Sequence, residues 1–299
     1  SVGQEDFLGL LHHRGGGVAP KNPGDAGAGS GMTDWQQHEA GRFQVDRFFI
    51  MFVRFMRRVL FPTGQHSRRL AFYLAAEEYL AGCGKHLDGP DLFFMWQTGP
   101  TVIFGHNQDI ESEVNLEYCK AHGVDIVRRK SGGGCVYSDP GNLMLSVVSG
   151  STDVKEVFAR SLGLLADAVA RLGIPVVTTE HNDVLASGRK VSGSAFHLLP
   201  QSSIFHATLL CNADFGQMAA CITPSVDKMA KHGVQSVRQR VANLTEFDPS
   251  LEVQAVRPRV EAFLAGNDAE LTLSKEDLSA IESIEKEYTD TNYTYGRNA

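Results

Sequence analysis

Three consecutive glycines, Gly132, Gly133 and Gly134, follow Arg128, Arg129, Lys130 and Ser131 and run straight into Cys135-Val136-Tyr137. The stretch before them, Val124 to Arg128, is strand-like, so the glycines form a loop between two strands. That placement restricts the fold. A phosphate loop of the Gly-Lys-Ser/Thr kind and the dinucleotide Gly-x-Gly-x-x-Gly turn both open a helix, and neither spacing is present. Adjacent glycines can take positive φ without a Cβ clash, which lets their N–H groups converge on the oxygens of a phosphate or carboxylate. Arg128 and Arg129 are expected to add forked cationic donors to the same anion.

The surrounding chain reads as mixed strands and helices without strict alternation. Leu92 to Trp96 and Thr101 to Phe104, separated by Gly99-Pro100, read as a strand pair, and Leu143 to Val148 as a further strand. A helix with Ser67 as N-cap should carry Glu77 and Glu78 on its later turns and close at Gly82 or Gly84. The clearest helix spans Asp153 to Leu172, with apolar residues at steps of three and four, a capping box of Asp153 and Glu156, and a stop at Gly173 and Pro175. Ile174 to Thr179 follows as a strand. Val184 to Ala186 turns through Ser187-Gly188 into Lys190 to Phe196, which places Lys190 just after a hairpin turn. Thr208 to Cys211 reads as a strand, Phe215 to Cys221 and Ser225 to Lys231 as short helices, and Lys275 to Tyr288 as a late helix capped by Ser274. The expected class is α+β, a mixed and largely antiparallel sheet packed with helices.

Composition narrows the function. With 299 residues, 42% hydrophobic, the chain has a substantial core, and a formal net charge of −7 argues against a nucleic-acid surface. Five scattered cysteines without zinc spacing suit a reducing, cytoplasmic setting. Phe48 to Phe61 is too short and too basic to span a membrane, and part of it reads as a strand. Residues 1–55, rich in glycine and lacking periodicity, read as a disordered extension or processing remnant, so the folded domain is expected over 56–299.

A second constellation is Asn182-Asp183 followed by Lys190. The two oxygen-bearing side chains suit Mg²⁺, which takes one or two protein oxygens and leaves room for water and phosphate. Lys190 is a mobile point charge able to bridge a phosphate and a carboxylate. The Ser187-x-x-Lys190 spacing resembles penicillin-interacting serine enzymes, but its companion motifs are missing.

Six blocks in one order, LAFYLAAEEYL (70–80), TVIFGHNQD (101–109), RRKSGGGCVYSDPGN (128–142), HNDVLASGRKVSGSAF (181–196), FHATLLCNAD (205–214) and SVRQRVANLTEF (236–247), resemble the lipoate-protein ligase A family. The resemblance implies the catalytic fold shared with biotin protein ligases. It also implies ATP-dependent activation of lipoate to lipoyl-AMP, then transfer to a lysine of lipoyl domains of 2-oxoacid dehydrogenase complexes or of glycine cleavage H protein. By the same motifs, Arg129, Ser131, Gly133, Gly134, Cys135, Val136, Tyr137, Asn182, Asp183 and Lys190 are expected to bind ATP and lipoyl-adenylate, with Lys190 catalytic. Asp183 is expected to hold Mg²⁺, and His206 and Ala207 to border the acyl pocket.

This sequence departs from the family pattern at several points. Cys135 stands for a usual alanine, Ser138 for a frequent histidine, His181 for an arginine, and Phe205-His206-Ala207 for a His-His-Gly-like motif. The chain also stops near Tyr293-Thr294-Tyr295, where many members enter a C-terminal accessory domain, so that domain is expected to be absent. This keeps two alternatives in view: a transferase that uses preformed lipoyl-AMP or needs a separate accessory subunit, and an octanoyltransferase acting through a thioester on Cys135 or Cys211.

Overall fold

The computed structural model describes residues 56–62, 68–179, 182–222, 240–266 and 270–296. In chain order the elements are β1 (Arg57–Leu60), α1 (Leu70–Gly82), β2 (Leu92–Trp96), β3 (Thr101–Phe104), α2 (Ile110–Glu113), α3 (Leu116–Ala121), β4 (Asp125–Arg128), β5 (Val136–Ser138), β6 (Asn142–Ser149), α4 (Val154–Ala170) and β7 (Val176–Thr178). They continue with β8 (Asp183–Ala186), β9 (Arg189–Leu198), β10 (Ser203–Leu210), α5 (Phe215–Cys221), α6 (Val253–Ala265), β11 (Leu271–Thr272), α7 (Lys275–Tyr288) and α8 (Thr291–Tyr295).

Two sheets organise these elements. The larger has the order β11-β1-β2-β6-β10-β9-β8-β7, parallel only at β11·β1 and β1·β2. The smaller has the order β4-β3-β5. The sheet is therefore mixed and largely antiparallel, as the pattern of runs suggested. Strand β6 lies centrally and is buried along its whole length, because helices cover both faces of the sheet. One face packs Phe93, Leu145, Phe205 and Leu209 against α4 and α6. The other packs Phe94, Trp96, Met144 and Ile204 against α1 and α7. Each such fully buried side chain contributes about 1.5–3 kcal/mol by leaving water.

Helix α1 is buried almost all round, which explains its largely apolar sequence. It starts after Arg69, which offers no side-chain cap; Ser67 lies outside the described residues. Helix α4 begins as expected, with the Asp153 carboxylate accepting from Glu156 N–H at 3.0 Å. The reciprocal half of the box is replaced by an ion pair from Glu156 to Arg160 at 2.6 Å. Helix α7 carries the full box of Ser274 and Asp277.

Several expectations need correction. β2 and β3 do not pair: β2 joins β1 and β6 in the large sheet, while β3 joins β4 and β5 in the small one. Both strands are buried throughout, so an apolar run alone could not reveal which neighbours each one takes. The strand after α4 is only Val176–Thr178, an edge strand with Val177 61% exposed. The strand expected at Thr208 to Cys211 instead spans Ser203–Leu210, completing two ladders with β6 and β9. Residues 1–55 and the helix expected at Ser225 to Lys231 lie outside the described residues. No described helix is long and apolar enough to cross a membrane.

Candidate active site

The glycine loop is shaped from beneath by Arg129. This side chain is 4% exposed and donates to Gly132 O at 2.8 Å, Gly134 O at 2.7 Å and Ile103 O at 3.3 Å. Burial lowers its pKa to about 10, which still leaves it charged at neutral pH. In a trans peptide the N–H points opposite to the C=O. With the Gly132 carbonyl turned inward, the Gly133 N–H therefore points away from the guanidinium. Among the described residues, no acceptor is bonded to the N–H groups of Gly132, Gly133 or Gly134.

Both arginines are thus used differently from the expectation of direct anion donors. Arg128 donates to the carbonyls of His106, Gln108, Thr294 and Gly296 and lies over the Phe104 ring at 4.4 Å. Its guanidinium staples α8 to the small sheet. Lys130 is also engaged, at 2.9 Å from Glu78 and 3.0 Å from Glu287. What the loop offers an anion is its backbone, above a buried positive charge.

Gly133 has φ +96°, a conformation that glycine adopts at no steric cost. Its carbonyl oxygen would lie 2.2 Å from a Cβ on Gly105, so the loop packs directly on the backbone that follows β3. Val136 pairs with Ile103 in the small sheet. Tyr137 is buried and donates its hydroxyl to Gln217 on α5, tying the loop's exit to that helix.

The second constellation comes from the β8–β9 hairpin. Ser187 and Gly188 have φ +48° and +74°, so both central residues are left-handed, as a tight hairpin turn demands. Asn182 also has positive φ, at 71°, which asparagine tolerates; its carbonyl accepts from Ser194 N–H at 3.2 Å and Ser194 Oγ at 2.9 Å. This pins the start of β8, and Asp183 then meets Lys190, Oδ1 to Nζ, at 2.6 Å. The lysine end lies over Gly193, where an added Cβ would be 2.5 Å from Lys190 Cε.

Strand alternation, with a β-bulge where Val184 pairs with Ser192 but Leu185 with Lys190, puts these groups on one side. In β9, Gly193, Ala195 and His197 share a face, and the register of Ala195 with His206 places His206 on it too. His206 Nε2 is 3.0 Å from Ser131 Oγ at the root of the glycine loop. Lys190, Asp183, His206 and the loop thus occupy the same face of the large sheet. A pocket there is lined by Leu74, Glu77, Ser131, His197, Ile204 and His206, among others. Ala207, paired with His206 in the sequence reading, is 2% exposed and lies in the core on the opposite face. Period-two alternation makes that separation unavoidable.

The cysteines fit packing roles. Cys135 sits beside the cluster of Val102, Phe104 and Tyr137, and its thiol is pushed up to about 12 by burial first and the Glu113 charge second, against Arg129. Cys211 is fully buried and also pushed up to about 12, again mainly by burial. Neither is an activated nucleophile.

Asp183 and Asn182 are hard oxygen donors of the kind that suits a Mg²⁺ ion shared with phosphate oxygens. Among the described residues, no group of three or more His, Cys, Asp or Glu side chains could hold a metal by itself. Sequence reasoning missed Gly105, Gly193 and the depth of Glu77, which is 3% exposed. A signal for Glu77 existed: it directly follows the apolar run Leu70 to Ala76 in a largely apolar helix.

Fold and site together define an α+β domain that carries a glycine loop and a lysine–carboxylate hairpin on one face of its large sheet. Residues 69–265 match the lipoyl protein ligase A/B catalytic domain. The chain is 31% identical over 249 residues to the lipoate-protein ligase LplJ of Bacillus subtilis, covering 80% of this chain and 74% of that protein. It is 33% identical over 232 residues to lipoate–protein ligase 1 of Staphylococcus aureus, covering 75% and 70%. A chain from a structural analysis of an archaeal lipoylation system, a bipartite lipoate protein ligase and its E2 lipoyl domain from Thermoplasma acidophilum, superposes with a TM-score of 0.71 at 25% identity, over 82% of this chain and 97% of that one. The chain belongs to the lipoyl protein ligase A/B catalytic-domain family.

Proposed function

We propose that this protein is an ATP-dependent lipoate-protein ligase. The observation that carries the reading is the glycine loop, with its carbonyls turned onto buried Arg129 and its glycine N–H groups left free, on the sheet face that also bears Lys190. The named activities of the similar bacterial ligases support it.

In the first step the lipoate carboxylate attacks the α-phosphorus of ATP, and pyrophosphate leaves with the electron pair of the broken P–O bond. Bringing a carboxylate to a phosphate joins two anions. The free loop amides and Lys190 offset that repulsion and stabilise the charge that grows on the phosphoryl oxygens. Lys190 passes from Asp183 toward the carboxylate and α-phosphate. Mg²⁺, held by Asp183 with Asn182 nearby, would neutralise phosphate charge. Arg129 acts on the nucleotide through the loop it shapes.

In the second step a carrier lysine amine attacks the mixed anhydride, and AMP departs. No protein nucleophile is needed, in keeping with the high thiol pKa of Cys135. The pocket bordered by Leu74, Ile204 and His206 would take the acyl tail, and the carriers are lipoyl domains of 2-oxoacid dehydrogenase complexes and glycine cleavage H protein.

Exchange of labelled pyrophosphate into ATP in the presence of lipoate and Mg²⁺ tests the first step, and transfer from synthetic lipoyl-AMP to a lipoyl domain tests the second. Both should proceed. Transfer without exchange would make the protein a lipoyltransferase or one partner of a two-chain ligase, and neither would sink the reading.

A further inference from the structure

A buried hydrogen-bonded chain runs through the pocket wall. Trp96 Nε1 donates to Ser146 Oγ at 2.8 Å, and Ser146 Oγ donates to Glu77 Oε1 at 2.5 Å. Glu77 Oε2 is 3.2 Å from His206 Nδ1, and His206 Nε2 is 3.0 Å from Ser131 Oγ. Trp96, Ser146, Glu77 and Ser131 are each 3% exposed or less. The chain thus links β2, β6, α1, β10 and the first turn of the glycine loop, far apart in sequence.

Donor chemistry fixes its direction. An indole N–H can only donate, so Ser146 accepts from Trp96 and turns its own proton to Glu77. Glu77 then accepts on both of its oxygens. A His206 ring bearing a single proton then carries it on Nδ1, which leaves Nε2 to accept from the Ser131 hydroxyl. Every member is satisfied, which is the condition under which a buried polar network rigidifies its surroundings.

We infer that Glu77 is a positioning residue: acting through His206, it fixes Ser131 and thereby holds the root of the glycine loop in its anion-binding shape. The pocket wall and the nucleotide loop are then one hydrogen-bonded unit, although Glu77 touches no glycine of the loop. The coupling rests on the reading of that loop as a nucleotide site, whereas the histidine tautomer does not. A glutamine at 77 cannot reproduce the arrangement. Ser146, already accepting from Trp96, has a proton to donate and takes the single carbonyl oxygen, so the NH₂ is left facing His206 Nδ1.

The test combines histidine ¹⁵N NMR with calorimetry of a non-hydrolysable ATP analogue plus Mg²⁺ on the full chain. In the parent protein His206 is expected as the Nδ1–H tautomer, and E77Q should lose that signature. E77Q and S131A should each weaken analogue binding about tenfold, the scale of one lost buried hydrogen bond. The double variant should be no weaker than either single one, and Ser131→Thr should restore binding. An unchanged tautomer in E77Q, or additive losses in the double variant, would overturn the proposal. If E77Q does not fold, S131A and His206→Asn carry the same cycle. No analogue binding by the parent protein would instead overturn the nucleotide-site reading, and the coupling with it, while the tautomer would still report whether the relay exists.

Discussion

Lys190 Nζ stands 2.6 Å from Asp183 Oδ1 across the β8–β9 hairpin, with its terminal carbons lying over the Cα of Gly193. The pair is partly open to solvent, at 38% and 25% side-chain exposure, so the lysine is parked rather than locked. A surface pair of this kind holds its partner by no more than about 1 kcal/mol, which an incoming phosphate can readily outbid.

Lys190→Ala should lower the rate of lipoyl-AMP formation by roughly 10²–10³, the usual cost of losing a preorganised charge-stabilising donor. Thermal stability should hardly change, because the side chain is not part of the core. Single-turnover adenylation beside a melting curve separates the two effects.

Gly193→Ala tests the parking position itself. Its Cβ would fall 2.6 Å from Lys190 Nζ, but the obstructing atoms are the far end of a flexible side chain. Folding should therefore change by about 0.5 kcal/mol or less. Adenylation should still fall by at least about tenfold, since one such factor needs only 1.4 kcal/mol of misplacement. Unchanged adenylation kinetics would show that the lysine works from elsewhere.

Gly105→Ala acts on the loop from behind. The new Cβ would be 2.2 Å from Gly133 O, a backbone atom that cannot swing aside, so the loop must move off Arg129. The expected cost is about 1–3 kcal/mol of stability, as for overpacking elsewhere. Nucleotide binding should be lost together with it, measured by calorimetry with an ATP analogue.

Cys135 gives a pH prediction. With a thiol pKa pushed up to about 12 by burial, the neutral form dominates throughout the physiological range, and thiolate appears only as pH rises toward that value. At pH 8 roughly one molecule in 10⁴ would carry thiolate there. Iodoacetamide should leave Cys135 unmodified at pH 8, by peptide mass mapping, and Cys135→Ala should keep ligase activity. Loss of activity in that variant would favour thioester chemistry.

Much of the site could be read from local sequence, because its parts are local. The Ser187-Gly188 turn, the placement of Lys190 behind it and the glycine loop between β4 and β5 all follow from residue types at adjacent positions. So do α4, with Asp153 at its start, and α7, with its Ser274–Asp277 box. The roles of Arg128 and Arg129 could not be read this way. A charge beside glycines looks the same in sequence whether its donors face a ligand or the loop's own carbonyls, and burial decides which. The sheet assignment of β2 and β3 failed for a related reason: strands buried on both faces carry no alternation to name their neighbours.

The amino-acid sequence by itself determined the class of fold, the glycine loop between two strands and the lysine hairpin, because each depends on φ preferences, period and spacing over a few residues. The tertiary structure decided which groups share a face. It brought Glu77, Ser131 and His206 into one chain and sent Ala207 to the other side of the sheet. Those relations arise from strand register and from pairing between segments up to 129 residues apart, where packing rather than local preference selects the contact.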